Sequence, residues 1–396
     1  MSQVKSKRAP SRGLAERLGN ELRFVPVAMG LVALILFFAT QSDVFLTSRN
    51  LNNLLVQSSV TGIIAIGLVF VLLVGEIDLS VAATSGLASV LMASLVVDGG
   101  LPIWVAIGAG VIAGMAIGAA SGRWITFIGV PSFVVTLGVG LLLNGVQLLM
   151  LPNTGRYNLL NTGVESLAAT YVTGAWAWVL VIGAISVFAA VRLTGHRKRL
   201  AFGLPASFST GVALPVGVAG VILIAILMFL ENLRGLPMPV ILFFSLLGIM
   251  SYVASETRFG LYLYAIGNSS EAARRAGVKV DRIKIMAFAI AGGMAAFGGI
   301  LSASRILGVS VSSGGGVGGG ALLLESIAAA VIGGVSLFGG RGMVLGALFG
   351  ALIIATVSNG LNLMGVANEA RLIVTGLLLV IAVSIDRGIE KLAGPS

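Results

Sequence analysis

The chain has 396 residues, of which 57% are hydrophobic and only 10% charged, with 55 Gly, no Cys and a formal net charge of +10. A soluble domain of this size carries charge on about a quarter of its residues, so a soluble enzyme or binding domain is excluded. The absence of Cys excludes disulfides, thiolate metal sites and cysteine nucleophiles.

The basic excess is clustered. Lys5, Lys7, Arg8, Arg12, Arg17 and Arg23 precede the first apolar run, Arg192, Arg197, Lys198 and Arg199 form a second group, six more lie from Arg258 to Lys284, and Arg387 and Lys391 close the chain. Lys and Arg gathered in short loops mark the cytoplasmic face of a membrane protein, with contact to anionic lipid headgroups as a further consequence. A nucleic-acid partner is not expected. The one histidine, His196, lies within the second group and reads as a solvated loop residue, and no metal or cofactor site is expected.

In chain order, a basic tail at 1–23 leads to apolar runs at about 24–41, 59–75, 80–97, 102–120, 131–150, 174–191, 211–230, 237–254, 285–303, 326–340, 344–362 and 370–385. Each approaches the length that crosses a bilayer as a helix. The reading is an all-α polytopic membrane protein, with a membrane domain over 24–386, a short tail at 387–396 and both termini on the cytoplasmic side. No small-residue cleavage site follows the first run, so that span reads as retained. Before the second run, Leu46–Gln57 carries Leu at helical spacing with Asn and Arg between, the pattern of a helix lying on the membrane surface.

Gly-marked interruptions near Gly75 and Gly340 divide two stretches, 71–95 and 329–353, into apolar halves that resemble each other faintly. Paired interruptions of this kind often surround a substrate path. The stretch "SSGGGVGGG" (312–320) reads as a flexible loop on the outer side. It has no Lys followed by Ser or Thr, and no phosphate-cradling G-x-x-x-x-G-K-[ST] pattern occurs in the chain. The chain therefore has no ATPase of its own, and no catalytic residue is assigned.

The most polar interior stretch is "YAIGNSSEAARRAGVKVDRIKI" (264–285). Asn268 is placed to cap a helix, with Glu271 three residues on as its capping-box partner. Gly277 suits the left-handed stop, and Asp281 the cap of the next span. Ala272, Ala273 and Ala276 would form a small-residue face flanked by Arg274 and Arg275, fit for a groove on another protein. A loop that only sets topology is the alternative.

This stretch resembles the cytoplasmic coupling segment of sugar-type permease subunits of bacterial ABC importers. Three more stretches resemble the family in the same order: "SRNLNNLLVQSSVTGIIAIGLVFVLLVGEIDLSV" (48–81), "VPSFVVTLG" (130–138) and "ESIAAAVIGGVSLFGGRG" (325–342). The resemblance implies the branched-chain-amino-acid/monosaccharide permease fold, about ten core transmembrane helices, here with two inserted at about 174–230. Together with "ENLRGLPMPVILF" (231–243), that insertion resembles the xylose-transporting members; ribose-type members are shorter. It further implies ATP-driven import of a pentose across the bacterial inner membrane. The partners would be cytoplasmic ABC ATPase subunits, a periplasmic sugar-binding protein and a second permease copy. Asn268, Glu271, Ala272, Ala273, Arg274, Arg275, Gly277 and Arg282 would then belong to the ATPase-coupling segment. A stand-alone proton-coupled secondary transporter is the rival reading.

Three roles stay open for Glu76 and Asp78 of "GEIDLS": hydroxyl acceptors on a sugar path, caps of the next helix together with Ser80, or proton-coupling carboxylates. A neutral sugar needs hydrogen-bonding groups and an aromatic face, which adds Ser132, Phe133, Thr136, Asn144, Gln147, Asn359 and Asn362 as path candidates, each with helix–helix bonding as its alternative. Ala82-Ala83 stands where the family commonly has Gly. Glu325 resembles a family position usually held by Asp, and reads as an N-terminal charge on a helix dipole.

Overall fold

The structure, a computed structural model, describes residues 25–203, 207–232, 234–315 and 321–393. The basic tail at 1–23 lies outside the described residues, as does the part of the Gly-rich loop at 316–320.

Long apolar runs give the helices α1 (Val25–Gln41), α2 (Ser48–Leu73), α3 (Val81–Val97), α4 (Ile103–Ile128) and α5 (Ser132–Met150). Strand β1 (Arg156–Asn158), the one-turn α6 (Ser166–Ala169) and β2 (Tyr171–Val172) lead to α7 (Ala175–Ala201) and α8 (Leu214–Glu231). Then follow β3 (Leu236–Pro237), α9 (Met238–Glu256), α10 (Arg258–Asn268), α11 (Ser270–Arg275) and α12 (Val280–Ile306). Strand β4 (Gly308–Ser310), α13 (Ala321–Ile332), α14 (Gly346–Leu363) and α15 (Asn368–Ala393) complete the chain. Among the described residues eight helices are long and apolar enough to cross a membrane, while α1, α3 and α13 are shorter apolar helices. The protein is an all-α polytopic membrane protein.

Two antiparallel strand pairs define one end of the bundle, β1 with β4 and β2 with β3. Ser304 fastens the same end, donating to the Val164 carbonyl at 2.7 Å and accepting from the Ala168 amide at 3.0 Å. Since α7 starts at this end, Arg192–Arg199 near its C terminus fall at the other, along with α10, α11 and the start of α12. One end is thus strand-fastened and the other basic.

Helix α12 lies at the centre, packed on α2, α3 and α4. A Cβ on Gly114 or on Gly292 would collide with the other's carbonyl oxygen, so α4 and α12 meet backbone to backbone. Such contacts supply the attraction that lipid, itself apolar, does not. Ile63, Ile66, Phe70 and Phe288 fill the core around them. Trp104, Ile112, Phe127 and Leu149 are exposed, as befits a bilayer-facing surface where helices satisfy their own backbone groups. The insertion α7–α8 is peripheral. It packs on itself through Ala177, Val181 and Leu227, and the Trp178 indole donates to Glu231 at 3.1 Å.

Three expectations need correction. Leu46–Gln57 is no separate surface helix: from Ser48 onward it is the first part of α2. Neither Gly nor Pro occurs from Leu46 to Thr61, and Asn50 is buried there against Asn359. Glu325 does not precede its helix; it sits in the second turn of α13, which ends at Ile332 rather than reaching 340. The C-terminal tail shows no break near 386, because α15 continues to Ala393.

Candidate functional site

At the basic end the polar segment forms α11, six residues long. Its cap is Ser269, not Asn268: the Ser269 hydroxyl accepts from the Ala272 amide at 3.2 Å. Glu271, instead of bonding back to the cap, pairs with Arg275 one turn later at 3.0 Å, and both are exposed. The stop follows expectation. Gly277 has φ 86°, its amide donates to the Arg274 carbonyl and that of Val278 to the Ala273 carbonyl, both at 3.0 Å, which is a Schellman closure. Asp281 lies in the first turn of α12 rather than at its cap and meets Arg274 at 3.3 Å. The alanine face is split. Ala273 is buried in the core beside Val280 and Ile283, whereas Ala272, Ala276, Arg274, Arg275 and Arg282 are exposed.

The segment is anchored where both Gly-marked breaks arrive. The first break, 74–80, lies between α2 and α3; the second, 333–345, between α13 and α14. The Gly340 amide donates to the Leu73 carbonyl at 3.0 Å. A Cβ on Gly267, in the last turn of α10, would overlap both groups of that bond, and one on Gly340 would overlap Asn268. Asn268 therefore marks the joint and not the cap. Tyr264 adds a bond from its hydroxyl to the Gly342 carbonyl at 3.0 Å, and Lys284 in α12 forms an ion pair with Glu76 of the first break. Sequence reasoning did not include Tyr264 or Lys284 among the site residues, since nothing local in the chain marks their distant partners.

Beyond Glu76 the first break is non-helical and gripped by α5. The Ile77 amide donates to Ser132 at 3.1 Å and the Leu79 amide to Thr136 at 3.0 Å. Asp78 is buried and turned back on itself, accepting from the Ser80 amide at 2.8 Å and the Ser80 hydroxyl at 2.6 Å. Of the three roles considered, this geometry matches a local turn that starts α3. The same bonds give Ser80, Ser132 and Thr136 protein partners. Phe133 projects outward and is exposed.

Farther along α5, the Gln147 amide nitrogen donates to the Ser310 and Ser313 carbonyls at 3.1 and 3.0 Å. The first residues of the Gly-rich loop are thereby docked inside the bundle, with Gly314 against Ala82 and Gly86 of α3. The carbonyl oxygens of Asn144 and Gln147 are buried without a hydrogen-bond partner. Asn359 exchanges hydrogen bonds with Asn50, and Asn362 accepts from Arg371 at 3.4 Å, so both serve near the strand-fastened end. Among the described residues no cluster of His, Cys, Asp and Glu has the makings of a metal site.

The model of the family described as "branched-chain amino acid transport system / permease component" matches residues 50–383. The xylose transport system permease protein of Escherichia coli (strain K12) is 34% identical over 331 residues, covering 83% of each chain. Its Haemophilus influenzae counterpart is 33% identical over 306 residues, 76% of this chain and 80% of that one. The ribose import permease protein of Escherichia coli (strain K12) is 31% identical over 305 residues, 76% of this chain and 74% of that one. No solved structure matches the chain. A match running from the start of α2 into α15, through both breaks and the segment between them, means that this chain belongs to that family of importer permease components.

Proposed function

We propose that this chain is the membrane-spanning subunit of an ATP-driven importer of pentoses, xylose in particular, in a bacterial inner membrane. ATP would be hydrolysed by cytoplasmic ABC ATPase subunits docked on α11, and a periplasmic sugar-binding protein would deliver the substrate. A second copy of the chain would complete the channel. The observation that carries the reading is α11 itself: a capped, exposed helix whose base is fastened to both breaks. The relatives named for xylose and ribose support the substrate class.

Orientation follows from charge. Arg192–Arg199, Arg258, Arg274, Arg275, Lys279, Arg282 and Lys284 lie at the basic end, and since Lys and Arg gather on the cytoplasmic side, that end would face the cytoplasm with both termini on the same side. Closure of the ATPase would push on α11 as a rigid body, and its anchor at Gly267 and Asn268 would carry the push to both breaks. Sugar would pass along the interior face of α5, where the buried carbonyl oxygen of Asn144 can accept from a sugar hydroxyl.

Uptake of radiolabelled xylose in cells depleted of ATP but holding a proton gradient separates this reading from a proton-coupled carrier. Import is expected to stop. Import that continues would favour the carrier and overturn the importer reading.

A further inference from the structure

We propose that the Lys284–Glu76 ion pair is the element through which movement of the coupling segment is passed to the first break, so that Lys284 is a positioning residue for sugar passage. The proposal rests on the importer reading above. It says which contact turns docking into opening.

The two ends of the pair have different attachments. Lys284 stands in the second turn of α12, continuous with the segment that contains α11. Glu76 belongs to the break, two residues before Asp78. Beyond it the Ile77 and Leu79 amides are held by Ser132 and Thr136 of α5, and Asp78 is closed on Ser80 at the start of α3. A displacement of Glu76 is therefore delivered to α3 and α5 through a short non-helical segment tied at Ile77, Asp78 and Leu79.

Burial separates this pair from its neighbours. The Lys284 and Glu76 side chains are 18% and 16% exposed, against 62% and 59% for Arg274–Asp281 and 79% and 68% for Arg275–Glu271. Exposed pairs separate at little cost because water replaces the partner. A largely buried pair does not, because separation strands a charge away from water. The two therefore move together. The neighbouring ties join other segments, the Gly340 amide to the Leu73 carbonyl of α2 and the Tyr264 hydroxyl of α10 to the Gly342 carbonyl of the second break; this ion pair is a side-chain link from α12 into the 74–80 segment.

The test uses the complete complex in proteoliposomes, with ATPase and sugar-binding protein, and reads ATP hydrolysed per xylose imported. Lys284→Gln and Glu76→Gln are each expected to raise that ratio about tenfold or more, the scale of an ordinary coupling between sites, while the ATPase still copurifies. Lys284→Arg, and the exchange of Glu76→Lys with Lys284→Glu, are expected to bring it back toward the parent value. A purely structural pair would lower protein yield without moving the ratio. An unchanged ratio in assembled single variants, or an exchange variant that assembles without recovery, overturns the proposal. Should the single variants fail to accumulate, the exchange and Lys284→Arg variants decide it by the same ratio. A parent complex that imports xylose without consuming ATP removes the importer reading and this proposal with it. A parent that consumes ATP beside unaffected variants removes this proposal alone.

Discussion

Gly267 lies so close to the Leu73 carbonyl that no side chain fits between α10 and the end of α2, and the Gly340 amide closes the same gap from the other side. Both obstacles are backbone, so neither can rotate aside. Gly267→Ala must separate three segments at their common joint. It is expected to destabilise the fold by about 1–3 kcal/mol, the ordinary cost of forced overpacking, and to abolish sugar uptake. Gly248→Ala is the control, since a Cβ there meets nothing within 4 Å. Thermal unfolding of the purified permease in detergent reads the difference; equal midpoints for the two variants would show that the joint opens freely.

Thr136 holds the Leu79 amide at 3.0 Å and donates onward to the Ser132 carbonyl at 2.9 Å. Thr136→Val keeps the shape and removes the acceptor. The Leu79 amide is then unpaired inside the membrane domain, a loss of about 1–3 kcal/mol, and the first break loosens from α5. Maximal uptake is expected to fall severalfold, and Thr136→Ser, which keeps the hydroxyl, to restore it. Normal uptake with Thr136→Val would mean that α5 does not position the break.

These residues also show what the sequence could and could not reveal. The helices were legible because a membrane demands long apolar runs, and the coupling segment because its charges stand out in an oily chain. The two Gly breaks were visible as interruptions. That they meet at Gly267 was not, because Leu73, Gly267 and Gly340 are far apart in the chain and touch through backbone atoms, which leave no side-chain signature. Ser132 and Thr136 were singled out as polar groups inside spans, and helix–helix bonding was the stated alternative to sugar contact. Their actual partners are the backbone amides of the break. Asn268, with Glu271 three residues on, satisfies the capping-box pattern and Ser269 does not, yet the backbone conformation, φ −162° at Ser269, makes Ser269 the cap.

Asn50 and Asn359 exchange hydrogen bonds in both directions at 2.9 Å, and Asn50 also donates to the Phe45 carbonyl at 2.8 Å. This buried amide pair ties the start of α2 to the end of α14. Asn50→Leu strands both a side-chain amide and a carbonyl and is expected to cost about 1–2 kcal/mol, within the usual cost of leaving buried polar groups unpaired. Asn359→Leu leaves Asn50 its Phe45 partner and should cost less. The double Leu variant removes both amides at once, so its loss should be smaller than the sum of the single losses. Unfolding midpoints of the four proteins test this as a double-mutant cycle, and strict additivity would show that the two amides do not act on each other.

The last prediction concerns the shape of α11. A six-residue helix cannot sustain itself, because nucleation is unfavourable and short helices are marginal in water. It stands on its cap at Ser269 and its stop at Gly277, where φ is 86°. A β-branched residue in that left-handed conformation costs about 1–2 kcal/mol, enough to unwind the final turn and turn Ala272 and Arg274 away from a docked partner. Gly277→Val is therefore expected to release most of the ATPase during copurification. Gly277→Asn should release little, since Asn tolerates the conformation, and Ser269→Ala, with a cap loss of about 1 kcal/mol, should fall between. None of the three touches the interior joint at Gly267, so the permease itself should keep its unfolding midpoint. Full ATPase retention by Gly277→Val would mean that docking does not depend on the helical form of α11.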